Sequence, residues 1–274
     1  MTIETPKYEI IEQEPTVGGM FKQIEIAGRT CYKSEDKITE DSAKKFVQKL
    51  IESKHFAMLE HGTVYLKIPA NDLIWKDLSV AESQWFIANK VCDEHQNWWA
   101  ITTNYRVLVE NFSPQFVHDL IYNYFCEPTE HHEKRRTVKL TTSIHVYKDL
   151  TRHRKMSYAI ESTRYCNYSK DKFDNNITFI DPIWCSDDQD NNRAFYESLK
   201  NIEQCYMNLI KSGWKPQQAA EILPQCTKAD VVITGFDKDW EWIFKVRVDG
   251  ITGKPHPEVE RIMVPIAKEL RGMR

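Results

Sequence analysis

Apolar residues recur at helical spacing over residues 39–54, where Ala43, Phe46, Val47, Leu50 and Ile51 share one face and Thr39 stands at a cap position. After a polar–aromatic segment, His55 to His61, the run Thr63-Val-Tyr-Leu-Lys-Ile68 predicts a strand that Pro69 stops. Helical spacing returns over residues 72–91, and residues 98–109 are rich in the β-branched and aromatic types that favour a strand. Ser113-Pro114 is a cap followed by a first helical position, with Phe116, Val117, Leu120, Ile121 and Tyr124 as the apolar face.

The cleanest alternation runs over residues 137–146, placing Val138, Leu140, Thr142, Ile144 and Val146 on one side of a strand. A short strand at 177–180 follows, then a long helix from about Asp187 to Ser212, with Phe195, Leu199, Ile202 and Leu209 inward. A helix at 215–222 ending at Leu223-Pro224, a strand at 231–234, a helix around 238–246 and a last helix opened by Pro257 complete the pattern. Helices and strands mix without regular βαβ alternation. The prediction is therefore an α+β fold with a mixed or antiparallel sheet and flanking long helices, forming one domain over residues 1–274.

Composition narrows the function. With a net charge of −3, the chain has no electrostatic case for general nucleic-acid or membrane binding. It has no apolar run long enough to span a bilayer, and its first residues lack the regions of a signal peptide. Seven scattered cysteines without a CxxC pair fit a reducing, cytoplasmic setting. The nine histidines form no HExxH, so no metal site is expected. Neither GxGxxG nor GxxxxGK occurs among the nine glycines, so any nucleotide must be held without a Rossmann or P-loop cradle.

Chemistry concentrates in residues 151–168, TRHRKMSYAIESTRYCNY, where Arg152, His153, Arg154 and Arg164 crowd together with Glu161 and Ser162. Guanidinium groups are planar, forked and permanently charged, which suits phosphates and flat heterocycles. The order Arg152-His153-Arg154, seven residues, Ser162, then Arg164-Tyr165 resembles the signature of the flavin-dependent thymidylate synthases. Gly28-Arg-Thr-Cys-Tyr32 resembles an early Arg-x-Ser-Tyr segment of that family, with Cys31 in place of Ser. The segment from His55 to His61 resembles its His-x-x-x-x-Glu-His, and Leu223-Pro224 with Thr227-Lys228 resembles an LP turn. Residues 240–247 and His256-Pro257 resemble its C-terminal helices.

The resemblance implies methylation of dUMP to dTMP, with FAD as cofactor, methylenetetrahydrofolate as one-carbon donor and NADPH as reductant. It also implies a homotetramer with sites between subunits. Carried over residue by residue, Arg247 would stabilise negative charge on the pyrimidine and Ser162 would position it. His55, Glu60, Arg152, His153, Arg154 and Lys238 would hold the flavin. Asp149, Arg152, Glu161, Ser162, Thr163, Arg164 and Arg247 would hold the nucleotide. Ser162 lacks an evident neighbouring base and is expected to position rather than attack. For Arg247 the residues leave a second reading, a helix-surface pairing with Asp239 or Glu241. The chain departs from the family pattern at Ala57, Ile160 and Ala220, the last where a phosphate-binding Arg is common; Lys228 could then supply the missing charge. A non-catalytic or altered-substrate homologue that binds nucleotide or flavin is the alternative function.

Overall fold

The computed structural model describes residues 1–81, 83–93, 96–185 and 189–273. The chain opens with β1 (Thr2–Glu4), β2 (Lys7–Ile11) and α1 (Val17–Tyr32), followed by α2 (Ser42–Glu52). A 3₁₀ turn, Phe56–His61, leads into β3 (Thr63–Pro69), α3 (Ile74–Leu78), β4 (Ile87–Cys92), β5 (Asn97–Asn104), α4 (Tyr105–Asn111) and α5 (Pro114–Tyr124). Then come β6 (Arg135–Ser143), α6 (Ile144–Leu150), β7 (Ser157–Ile160) and β8 (Thr178–Ile180). The chain closes with α7 (Gln189–Lys211), α8 (Pro216–Ala219), β9 (Lys228–Phe236), α9 (Asp237–Arg247) and α10 (Pro257–Gly272).

The central sheet is antiparallel in the order β2-β6-β9-β7, and β3-β5-β4 forms a second antiparallel sheet; β1 and β8 pair in parallel. This is the α+β architecture that the pattern predicts. In the central sheet, Val138, Leu140, Val231 and Ile233 pack against Trp240, Ile243 and Phe244 of α9 and Val259, Ile262 and Met263 of α10. On the other face, Ala159 and Val232 join the core of α1, α2, β3 and β5. That face also carries a row of polar positions, Thr137, Thr141, Asp230 and Thr234, all buried beneath α1 and the Phe56–His61 turn.

Several expectations change, beginning with α2, whose cap position is Asp41 and not Thr39. Residues 72–91 are not one helix: only Ile74–Leu78 is helical, and Ile87–Cys92 leaves that periodicity to pair with β5. The strand expected over 98–109 stops at Asn104, whose side-chain oxygen accepts from Val107 N at 3.0 Å and starts α4. The strand expected over 137–146 likewise stops at Ser143, whose hydroxyl caps α6 at Val146 N, 3.4 Å away. In both places a capping side chain overrides a β-branched run. The helix placed at 215–222 is a short α8 continued by a 3₁₀ turn at Ala220–Ile222. The expected start of the long helix, Asp187, lies outside the described residues.

Helix α1 crosses α2 closely because Gly28 has no side chain. A Cβ at this position would stand 2.6 Å from Cε1 of the core residue Phe46. Gly28→Ala is expected to destabilise the fold by about 1–3 kcal/mol through overpacking. A lowered urea midpoint with an unchanged slope would register it.

Candidate active site

The RHR segment leaves α6 in a series of turns. His153 N donates to Leu150 O at 3.0 Å, and Met156 N donates to His153 O at 3.1 Å. Asp149 sits in the last turn of α6, where a carboxylate opposes the helix dipole unless cations meet it. Two do: Arg247 Nη1 lies 2.8 Å from its Oδ2, and Arg152 Nη1 lies 3.1 Å from its Oδ1. The Arg247 contact is an ion pair without hydrogen-bond alignment at Oδ2. Arg247 also donates through Nη2 to Asp149 O at 3.2 Å and through Nε to His153 Nε2 at 3.1 Å. Arg247 therefore faces Asp149 and His153, while Glu241 is bound by Arg271 at 2.8 Å.

Accepting from Arg247 requires that His153 Nε2 carry no proton. Burial, and then the Arg247 charge, push the imidazole down from 6.5 to about 4. Its folded value lies below its unfolded value, so the native state binds fewer protons between pH about 4 and 6.5. The stability this group contributes is present above pH 6.5 and is lost as pH falls through that window.

A second group lies on the α1 side of the sheet. The Tyr32 hydroxyl meets His55 Nδ1, and the Tyr32 ring stands edge-on to both His55 and Tyr165, each at 5.7 Å. Burial pushes the Tyr32 hydroxyl up to about 12. Glu60 is buried, receives Arg106 Nη1 at 2.5 Å and offers its carbonyl to Arg135 Nη2 at 3.0 Å. The next residue, His61, binds Thr234 Oγ1 at 2.8 Å, and complete burial lowers it to about 3.

Ser162 begins the turn that displays Thr163 and Arg164. Its amide donates to Cys31 O at 3.1 Å, and its carbonyl accepts from Tyr165 N at 2.9 Å and Cys166 N at 3.2 Å. Glu161 faces inward, with its carboxylate bound by Lys228 Nζ at 2.9 Å, by Asp230 N at 3.1 Å and by the Cys166 thiol at 3.3 Å. Lys228 is thus committed and is not available to replace the charge missing at Ala220, which lies partly buried at the start of its 3₁₀ turn. Arg152, Arg154, Arg164 and Lys238 are exposed, and Lys238 Nζ stands 5.5 Å from the Phe236 ring centre. The pattern gave no sign of Lys33, Arg106 or Arg135. Lys33 reaches Glu161 and Asp230, Arg106 reaches Glu60, and Arg135 reaches Thr63 and the Glu60 carbonyl only through the fold.

The predicted residues therefore fall into two groups. Arg247, Asp149, Arg152 and His153 gather at α6 and α9, while Ser162, Glu161, Tyr165 and His55 gather at the end of α1. No hydrogen bond or ion pair joins the two groups among the described residues. Nor do those residues hold a cluster of three or more metal-ligating side chains. No described helix is long and apolar enough to cross a membrane.

An α+β chain with a half-buried Arg–Asp–His cluster and exposed arginines at 152, 154 and 164 is equipped to meet an anionic ligand. A family model for thymidylate synthase complementing proteins matches residues 73–273, and the chain belongs to that family. The match takes in the RHR segment and Arg247; Gly28–Tyr32 and His55–His61 lie before it and meet the matched part through Ser162 N to Cys31 O, Arg135 to the Glu60 carbonyl, His61 to Thr234 and the Tyr32–Tyr165 ring contact. Two solved structures of PolB, a UMP/dUMP methylase from Streptomyces cacaoi, are also similar. The one bound with 5-Br dUMP is 14% identical, covers 99% of this chain and 93% of that one, and gives a TM-score of 0.47. The one bound with 5-Br UMP is 13% identical, covers 99% and 92%, and gives 0.48. No curated protein matches the chain significantly.

Removing the Arg247 guanidinium is expected to raise the His153 titration from about 4 toward the ordinary value, with burial retaining part of the depression. An NMR titration of the histidine ring protons in wild type and Arg247→Ala measures this. An unmoved His153 midpoint would show that the two side chains do not interact in solution.

Proposed function

We propose that this protein methylates the pyrimidine of dUMP to give dTMP, with residues 1–274 acting as one domain. Membership of the family supports the reading, and the observation that carries it is the Arg247 side chain, held between Asp149 and a neutral His153. Carbon 5 of uracil is a weak nucleophile, so the ring must be made electron-rich before it accepts a one-carbon unit. A guanidinium fixed in advance by Asp149 and His153 can stabilise negative charge developing on the ring oxygens without reorganising. Such a donor contributes about 3–4 kcal/mol to a transition state. Ser162, whose amide is already bound to Cys31 O, would offer its hydroxyl to orient the ring. Arg164 and Arg152 would meet the nucleotide phosphate, with Asp149 restraining Arg152, and the backbone of Glu161 and Thr163 would border the base.

FAD fits the remaining donors. Arg154 is a permanent cation with no carboxylate partner among the described residues, and the exposed His55 beside Tyr32 offers a flat polar edge. In this reading His153, Arg152, His55, Glu60 and Lys238 complete the cofactor's surroundings. Held there and reduced by NADPH, a flavin would supply the hydride needed to bring the methylene group of methylenetetrahydrofolate to the methyl level. Because no hydrogen bond or ion pair joins the two groups within one chain among the described residues, we assign the complete site to a homotetramer in which one subunit's RHR segment faces a neighbour's C-terminal helices.

Purified protein supplied with dUMP, FAD, NADPH and methylenetetrahydrofolate is expected to form dTMP, scored by chromatography, with UMP tested in parallel. Arg247→Ala should abolish turnover while FAD titrates as in wild type. Near-normal turnover in that variant would remove Arg247 from the chemistry. FAD binding without turnover of either nucleotide would favour the non-catalytic or altered-substrate reading. Mixing inactive Arg247→Ala chains with inactive Arg164→Ala chains is expected to restore activity, since some sites then receive both arginines. Failure of every mixture to recover would count against sites shared between subunits.

A further inference from the structure

The polar face of the central sheet ends in a closed set of charges that the proposed chemistry does not use. Lys33 follows the last turn of α1 in a left-handed conformation, φ 49° and ψ 55°, uncommon for a residue with a side chain. Its Nζ meets the Asp230 carboxylate, lies 3.4 Å from Glu161 Oε2 and lies 3.5 Å from Glu35. Lys228 Nζ completes the set at 2.9 Å from Glu161 and 2.5 Å from Asp230. All four side chains are largely buried, with exposures of 18% for Lys33, 15% for Lys228, 3% for Glu161 and 8% for Asp230.

Both carboxylates are filled. Asp230 accepts Thr141 Oγ1 at 2.8 Å on Oδ1 and the two lysines on Oδ2. Glu161 accepts the Cys166 thiol on Oε1, and Lys228 with the Asp230 amide on Oε2. Glu161 therefore grips both ends of the turn that displays Ser162, Thr163 and Arg164: one end directly, the other through Cys166. Two further ties bind this segment to the end of α1, Ser162 N to Cys31 O at 3.1 Å and Lys172 Nζ to Lys33 O.

We propose that Lys33 and Lys228 are positioning residues of the nucleotide site. They touch no ligand, and they act by holding Glu161 so that Ser162 Oγ and Arg164 keep one place. The charge count supports this role over direct phosphate binding, because Lys228 already faces two carboxylates and Lys33 three, and with Lys139 3.8 Å from Glu35 the three cations and three carboxylates cancel. Removing one lysine leaves a buried carboxylate under-compensated, which the chain relieves by letting Glu161 and the turn move outward. The inference rests on the dUMP reading only for the identity of the ligand.

The test uses the full chain as Lys33→Met and Lys33→Arg, with two readouts. The first, independent of any ligand, is the alkylation rate of Cys166 mapped by peptide mass spectrometry. Lys33→Met should speed it about tenfold or more, the factor expected for an opening made easier by ~1.4 kcal/mol, and Lys33→Arg should restore it. The second is dUMP titration with steady-state kinetics. Lys33→Met should raise KM for dUMP more than it lowers kcat, leave FAD binding alone, and be rescued by Lys33→Arg. Cys166 labelling at the wild-type rate would overturn the proposal, and so would unchanged dUMP affinity beside a freed Cys166. If wild type binds no pyrimidine nucleotide, the functional reading fails, and Cys166 labelling still decides whether Lys33 holds the turn. Should Lys33→Met not fold, Lys228→Gln gives the same two readouts from the other side of Glu161.

Discussion

Everything in this molecule hangs on the ladder between β6 and β9. Nine residues of each strand pair in register, from Arg135 with Phe236 to Ser143 with Lys228, and β9 is buried from Ala229 to Phe236. A strand buried on both faces leaves no freedom to slip, because a one-residue shift would exchange its two sets of side chains. Here the sets are unlike. Val231 and Ile233 enter an apolar core with α9 and α10, whereas Asp230 and Thr234 enter a polar layer under α1. A slip would bury carboxylate in hydrocarbon, and that penalty fixes the register.

The same ladder sets the two ends of the sheet apart and gives them different work. At the β9 end near Phe236, the chain places α9 and the RHR turns, so Arg247 can reach Asp149 and His153. At the end near Lys228, it places the Ser162 turn against the last residues of α1. Strand β7, only four residues long, connects the two. Arg247 depends on this rigidity, because a guanidinium with a carboxylate on one side and an uncharged imidazole on the other keeps one orientation before any ligand arrives. The polar layer is costly wherever a partner is missing, and His61 Nε2 and Arg135 Nε are two such atoms. Arg135 tolerates its isolation by donating to Thr63 Oγ1 and the Glu60 carbonyl and by lying 5.5 Å from the Phe236 ring centre.

Much of this was legible in the chain. The alternation of Val138 and Leu140 marks the apolar face of β6, and the helical faces of α2, α5 and α7 are those that the spacing marks. Of the segment that the RHR-to-Ser162 spacing marks, the fold places Arg152 beside Asp149 and His153 beside Arg247, and ties Ser162 to Cys31 at the end of α1. What escaped has physical causes. Helix α1 carries Gly18, Gly19 and Gly28, which weaken its propensity, and it is held by packing against α2 and the sheet. Strand β4 looks helical because its neighbours are apolar at the wrong spacing, and only pairing with β5 decides it. Asn104 and Ser143 end their strands through single cap bonds that a run of β-branched residues conceals. Lys33 could not be assigned from sequence, since it meets Asp230 across 197 positions of chain, and Lys228, expected to replace a phosphate-binding charge, is held by Glu161 and Asp230 instead.

That separation has a consequence for how the molecule comes into being on the ribosome. Strand β1 pairs with Thr178–Ile180, β2 with residues 137–141, and β7 has β9 as its partner in the sheet. A growing chain presents these strands long before their partners emerge, and such non-local pairings form slowly. Tyr8 and Ile10 must wait in the open for β6, and β6 in turn lacks one neighbour until β9 is made. Translation of the last strand is therefore the event that closes the sheet, and a nascent chain stalled before residue 228 would leave both the edge of β6 and the whole of β7 unpaired.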